Sequence, residues 1–244
     1  MLFYTLNVFS LALFGLASAA LKTNIPVITC KRDSIDYTVC LKHAIEEAWP
    51  RFVKGLPEFD FSPLDPLFYK YGKAEFNSDI LHAEMSMSNV TANGLAEAHF
   101  NGVRSYFLDD VFHLEIDTQL PKLLIKGVIN LAGSIGVFRT FGKGSFNVIG
   151  DDARTTWDLT GHVVNDTWIV ERFRVMPSFG KIVIYFDNVL EDKGLNDIVA
   201  NFINEYWPPI YRVVLPTAAD AWEPWLVNFA NNFFSKVPFS EIFP

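Results

Sequence analysis

Only two cysteines, four methionines and five histidines occur in 244 residues. Two cysteines exclude a disulfide-dense scaffold. Cys30 and Cys40 lack C-x-x-C spacing, and no histidine is placed to complete a zinc set. Enzyme signatures are also missing: there is no G-x-S-x-G elbow, H-E-x-x-H helix, P-loop or G-x-G-x-x-G turn. His43 falls in helical sequence, and His82, His99, His113 and His162 fall in strand-like sequence, where exposed or hydrogen-bonded rings are the ordinary outcome. The acid pairs Asp109-Asp110 and Asp151-Asp152 sit at expected turns and read as solvated turn residues, not as a catalytic couple. Positive charge is short as well. With 20 Lys+Arg against 28 Asp+Glu the formal charge is −8, which repels phosphate backbones and anionic membrane surfaces. Nucleic acid is therefore not an expected partner. No Ser/Gly linker, charge block or solenoid-period repeat divides the chain.

What is present begins with an uncharged stretch over residues 2–19. It runs through Leu11-Ala12-Leu13-Phe14-Gly15-Leu16 to the small-x-small pattern Ala17-Ser18-Ala19. That is the pattern of a cleaved signal peptide, too short for a membrane span of about 20 residues. Charged residues interrupt every later apolar run, so the expected product is a secreted single domain over residues 20–244 without stable membrane insertion. In a secreted chain Cys30 and Cys40 are expected to oxidise as a pair, stapling the N-terminal arm to the first helix for about 3 kcal/mol at most. Asn89-Val90-Thr91 and Asn165-Asp166-Thr167 are N-glycosylation triplets, consistent with export.

The hydrophobic period changes twice. Asp33 is positioned to cap a helix in which Leu41, Ala44, Ile45, Ala48, Trp49 and Phe52 recur at three- and four-residue intervals up to Gly55. Pro57, Pro63 and Pro66 then force an extended connector. From about residue 72 to 190 the period is two: Phe112, Leu114 and Ile116 alternate with His113, Glu115 and Asp117, and Trp157, Leu159 and Val163 alternate with polar residues. Asn93-Gly94, Asn101-Gly102, Gly150-Asp151-Asp152 and Asn165-Asp166 read as turns or bulges in a meander of long antiparallel strands, which twist will curl. Leu195, Ile198, Val199, Phe202, Ile203, Tyr206, Trp207 and Ile210 trace a helical stripe. Pro208 and Pro209 should kink it, and the stripe resumes through Trp222, Leu226, Phe229 and Phe233. A long apolar helix needs cover, and the curled sheet is the available apolar face. The fold class is α+β, a long C-terminal helix wrapped by a highly curved antiparallel sheet. Phe occurs 23 times, and the room left by such wrapping is filled by large side chains or by an apolar guest.

Between the first helix and the strands stands Pro63-Leu64-Asp65-Pro66-Leu67, preceded by Gly55-Leu56-Pro57-Glu58-Phe59. Lys126-Gly127-Val128-Ile129 follows Pro121, then Gly142-Lys143-Gly144-Ser145-Phe146, and the chain ends Val237-Pro238-Phe239-Ser240-Glu241-Ile242-Phe243-Pro244. In these phrases and their order the mature chain resembles the insect takeout and juvenile-hormone-binding protein family. It departs at Val128, where a Tyr is common, and at Ile203-Asn204-Glu205-Tyr206-Trp207, where many members have Asn before the Trp; both bear on ligand identity, not on fold. The resemblance implies the tubular lipid-binding (TULIP) architecture and capture of a terpenoid, fatty acid or related lipid, with no cofactor, metal or catalytic group. The expected apolar lining is Trp49, Phe52, Phe112, Leu114, Phe146, Trp157, Phe202, Tyr206 and Trp207. Two rival readings are a defence protein recognising microbial lipid, which would favour a basic tip, and a lipid-ester hydrolase, which would need a nucleophile and base.

Overall fold

A computed structural model describes residues 27–77, 81–135, 138–190 and 192–244. The cleavage pattern Ala17-Ser18-Ala19 lies outside the described residues. Helix α1 (Tyr37–Lys54) buries Leu41, Ala44, Ala48 and Trp49 at the spacing of one helical face. It starts three residues later than Asp33 would have it: Asp36 holds the N-cap position and makes no side-chain cap bond. Arg51 and Lys54 in its last turn favour the negative end of the helix dipole, and Gly55, at φ 85°, stops it in a conformation that side chains disfavour. A disulfide joins Cys30 to Cys40, with Cα atoms 5.9 Å apart, and holds the N-terminal arm against α1.

The strands are β1 (Leu67–Asn77), β2 (Leu81–Asn93), β3 (His99–Leu108), β4 (Val111–Ile135), β5 (Phe138–Val164), β6 (Thr167–Val175) and β7 (Lys181–Asp187). All pair antiparallel in one curled sheet, ordered β1-β2-β4-β5-β6, with β3 on β4 and β7 on β5. The two long central strands explain this branching. One end of β4 pairs with β3 through Val111–Gln119 and the other with β2 through Leu124–Ile135. Strand β5 likewise pairs with β6 from Trp157 and with β7 from Ser145 to Asp151.

Each central strand changes which parity it buries partway along. Strand β4 buries Phe112, Leu114, Ile116, Thr118 and Leu120, then Ile129 beyond Pro121; β5 buries Ala153 and Leu159 at odd positions but Phe146 at an even one. The Gly150-Asp151-Asp152 segment is therefore no chain reversal. It runs inside β5, and Asp152, at φ 50°, sits where the parity switches. Register with β4 is unbroken on both sides, so both strands rotate together and keep apolar side chains on the helix side.

Helix α2 (Lys193–Phe234) follows, and α3 (Phe239–Ile242) ends the chain. The Asp192 side chain caps α2 by accepting from the Leu195 N–H at 3.0 Å. Its backbone leaves helical geometry at Tyr206, two residues before Pro208 and Pro209, as a proline pair requires. Three asparagines tie α2 and the preceding loop to edge backbone by using one amide as donor and acceptor together: Asn196 to Leu190, Asn204 to Ile184 and Asn231 to Val170. Each satisfies an exposed strand edge or loop that would otherwise present both polar groups. Val170 is buried. Asn231→Leu is thus expected to strand its N–H and C=O and lower stability by about 2 kcal/mol, measurable by urea unfolding.

On the outer face Arg104 donates to Glu115 (2.9 Å) and Asp117 (2.6 Å), and the Tyr106 hydroxyl donates to Glu115. The Tyr106 bond, then Arg104, holds the Glu115 carboxyl below its ordinary range, and Arg104 does the same for Asp117. Carboxylates depressed on folding stabilise above their unfolded pKa, about 4, and lose that contribution as pH falls through the lower folded values. Arg104→Met should therefore flatten the fall in melting temperature between about pH 5 and pH 2. An unchanged slope would assign the acid sensitivity to other groups.

Candidate ligand cavity

The Pro-Leu-Asp-Pro-Leu segment shows how local sequence builds the site. Leu64 and Leu67 turn into an internal cavity. Asp65 between them accepts from the Gly94 N–H at 3.0 Å and the Ala96 N–H at 2.8 Å. That carboxylate fixes the turn carrying Leu95, whose side chain lines the cavity and whose carbonyl accepts the Trp49 indole N–H at 2.8 Å. One short phrase thus supplies two wall residues and anchors a third.

The cavity encloses ≈ 290 Å³ between α1, the β3–β6 end of the sheet and the C-terminal half of α2. Trp49 and Phe52 come from α1, Leu114 and Ile116 from β4, Trp157 and Leu159 from β5, and Trp225, Phe229 and Phe233 from α2. Every lining residue is Ala, Val, Leu, Ile, Phe or Trp. The wall is consolidated by ring contacts, Phe61 on Phe229 at 4.4 Å, Phe52 on Phe233 at 5.1 Å and Trp49 on Trp157 at 5.5 Å. Val27 and Ile28 of the disulfide-tied arm close one side together with Ile242 and Phe243 of the tail. The Arg32 N–H donates to the Pro244 carbonyl at 3.0 Å and joins arm to tail. Ile28 lines the cavity and is still 41 % exposed.

Of the residues expected from sequence, Trp49, Phe52, Leu114 and Trp157 are brought together here. Phe112 lies outside the lining, fully buried among Phe107, Trp168, Phe239 and Phe243. Phe146 belongs to a separate cluster with Val90, Ile129 and Val189. Phe202 and Tyr206 are exposed and pack on each other, while Trp207 meets Tyr211 edge-on, all on the N-terminal half of α2. Among the lining residues not expected from sequence are Trp225, Phe229, Phe233 and Phe234; part of that signal, the stripe through Leu226, Phe229 and Phe233, lies in the sequence beyond Pro216. Asn89 and Asn165 are exposed, each at positive φ, the first in β2 and the second on the β5–β6 turn.

A curled sheet, a long kinked helix and an apolar chamber between them define a protein with room to enclose an apolar molecule. The chain belongs to the haemolymph juvenile hormone binding protein (JHBP) family, whose family model matches residues 9–244. The crystal structure of Epiphyas postvittana Takeout 1 superposes with a TM-score of 0.68 at 20 % identity, covering 88 % of this chain and 99 % of that one. The fold is of the TULIP type. No curated protein sequence matches this chain significantly. No helix among the described residues is long and apolar enough to cross a membrane.

Proposed function

We propose that this chain is a secreted carrier that binds one small hydrophobic molecule in the cavity, in keeping with the juvenile-hormone binding named by its family. Residues 1–19 are its cleaved signal peptide and residues 20–244 its single lipid-binding domain. It uses no cofactor and performs no catalysis. The observation that carries the reading is the wall without a hydroxyl, amide or charged side chain. Such a wall rewards apolar surface and offers a buried polar group little to bond beyond an indole N–H, so the ligand is a terpenoid, fatty-acid chain or related lipid whose polar end stays on the solvent side of the chamber. Burying each CH₂ contributes about 0.8 kcal/mol, so a dozen carbons gain roughly 10 kcal/mol gross. Association and ordering costs reduce this to an affinity of roughly micromolar to nanomolar.

Titration of delipidated protein with a lipophilic fluorescent probe is the test. One-to-one binding is expected, displaced by long-chain or terpenoid lipids and nearly insensitive to salt, because apolar burial is not screened. Folded protein that binds no apolar probe would remove the carrier reading.

A further inference from the structure

We propose that the outer face of the sheet holds a seat for the chain's own N-linked glycan, attached at Asn89. Strand β2 loses register between Ser88 and Thr91, and Asn89, at φ 51°, stands in that irregularity. Its side chain opens onto a surface groove of ≈ 460 Å³. From there a row crosses four strands: Thr91 lies opposite Lys126, Lys126 opposite Asn147 and Asn147 opposite Tyr185. Directly opposed residues share a face, so the four side chains stand in line over three strand spacings, about 14 Å.

The chemistry of the row differs from that of the cavity. Lys126, Asn147 and the neighbouring Asp187 offer donors and acceptors, and Tyr185, 54 % exposed, offers an aromatic face. A lipid chain gains little there. A sugar ring matches both, with hydroxyls for the polar groups and an apolar C–H face for the tyrosine ring. Covalent attachment selects the occupant. Asn89-Val90-Thr91 is an acceptor triplet at one end of the groove, and a tether confers a high effective concentration on whatever hangs from it. The Thr91 hydroxyl is buried without a hydrogen-bond partner, so a glycosylating enzyme must read the triplet before β2 pairs with its neighbours. Asn165 stands on a two-residue turn whose Asp166 carboxylate is taken by Ser240, and a glycan there projects into solvent.

The seat rests on the export reading, and one experiment separates the two. Full-length protein is expressed in an insect secretory host, and glycan release by an endoglycosidase is followed by glycopeptide mass, native against denatured. Asn89 is expected to be occupied, with native release about tenfold or more slower than denatured release. Tyr185→Ser and Asn147→Ala, both at exposed positions, should each speed native release severalfold without shifting the melting temperature. Secreted protein with a bare Asn89 overturns the seat alone, as do equal release rates in wild type and both variants. Protein retained in the cell with both triplets bare overturns export and the seat together.

Discussion

Ala230→Phe is expected to weaken binding of an apolar probe by about 100-fold or more while leaving the protein folded. Ala230 lies on the half of α2 that faces the cavity and is buried against it. Phenylalanine there projects a ring into space the ligand would fill. Displacing roughly four ligand carbons at about 0.8 kcal/mol each removes about 3 kcal/mol, which is where the 100-fold figure comes from. The same ring fills a void in the unliganded protein, so its melting temperature should hold or rise. Stability separates the explanations: a folded variant with unchanged affinity means the probe binds elsewhere, and a large loss of stability means the space is already packed. Trp157→Ala acts in the opposite sense, enlarging the chamber and shifting preference toward bulkier ligands at a cost in stability.

The helix stripe shows how far sequence periodicity reached. Spacing alone identified α2, and Pro208-Pro209 announced its kink, which the backbone shows at Tyr206. Periodicity says that a face is apolar but not what that face meets. Leu195, Ile198, Phe202 and Tyr206 are exposed, whereas Trp225, Phe229 and Phe233, past the kink, line the cavity. A change of helix direction reassigns the stripe, and that change depends on tertiary packing. The strands posed the same difficulty. Alternation over residues 112–116 and 157–163 correctly marks the inner face, but extrapolating it along β5 would turn Phe146 outward. The positive φ at Asp152 reverses the parity, and an acidic residue in αL geometry looks the same in sequence as one in a turn.

Phe112→Ala separates core from cavity by its energetics. Phe112 is 0 % exposed and meets four aromatic neighbours: Trp168 at 5.0 Å, Phe239 and Phe243 at 4.8 Å, and Phe107 at 5.1 Å. Two of these belong to the C-terminal tail, which α3 and the Phe239 N–H bond to the Asp166 carbonyl hold over the sheet. Truncation removes the ring from all four and leaves a void that rigid β4 cannot close, so a loss of about 3 to 5 kcal/mol is expected in urea unfolding. Phe112 does not itself line the cavity, so direct ligand contact is not lost. Its tail neighbour Phe243 does line it, and any change in affinity must therefore pass through loosening of the tail. If so, affinity should fall by less than Ala230→Phe lowers it, and a substitution that loosens the tail, Asp166→Gly, which removes both Ser240 bonds and suits the φ of 59° there, should reproduce the affinity change with little of the stability loss. A stability loss below about 1 kcal/mol in Phe112→Ala would mean the ring cluster repacks around the gap. The tail would then be a compliant wall of the chamber rather than a fixed one.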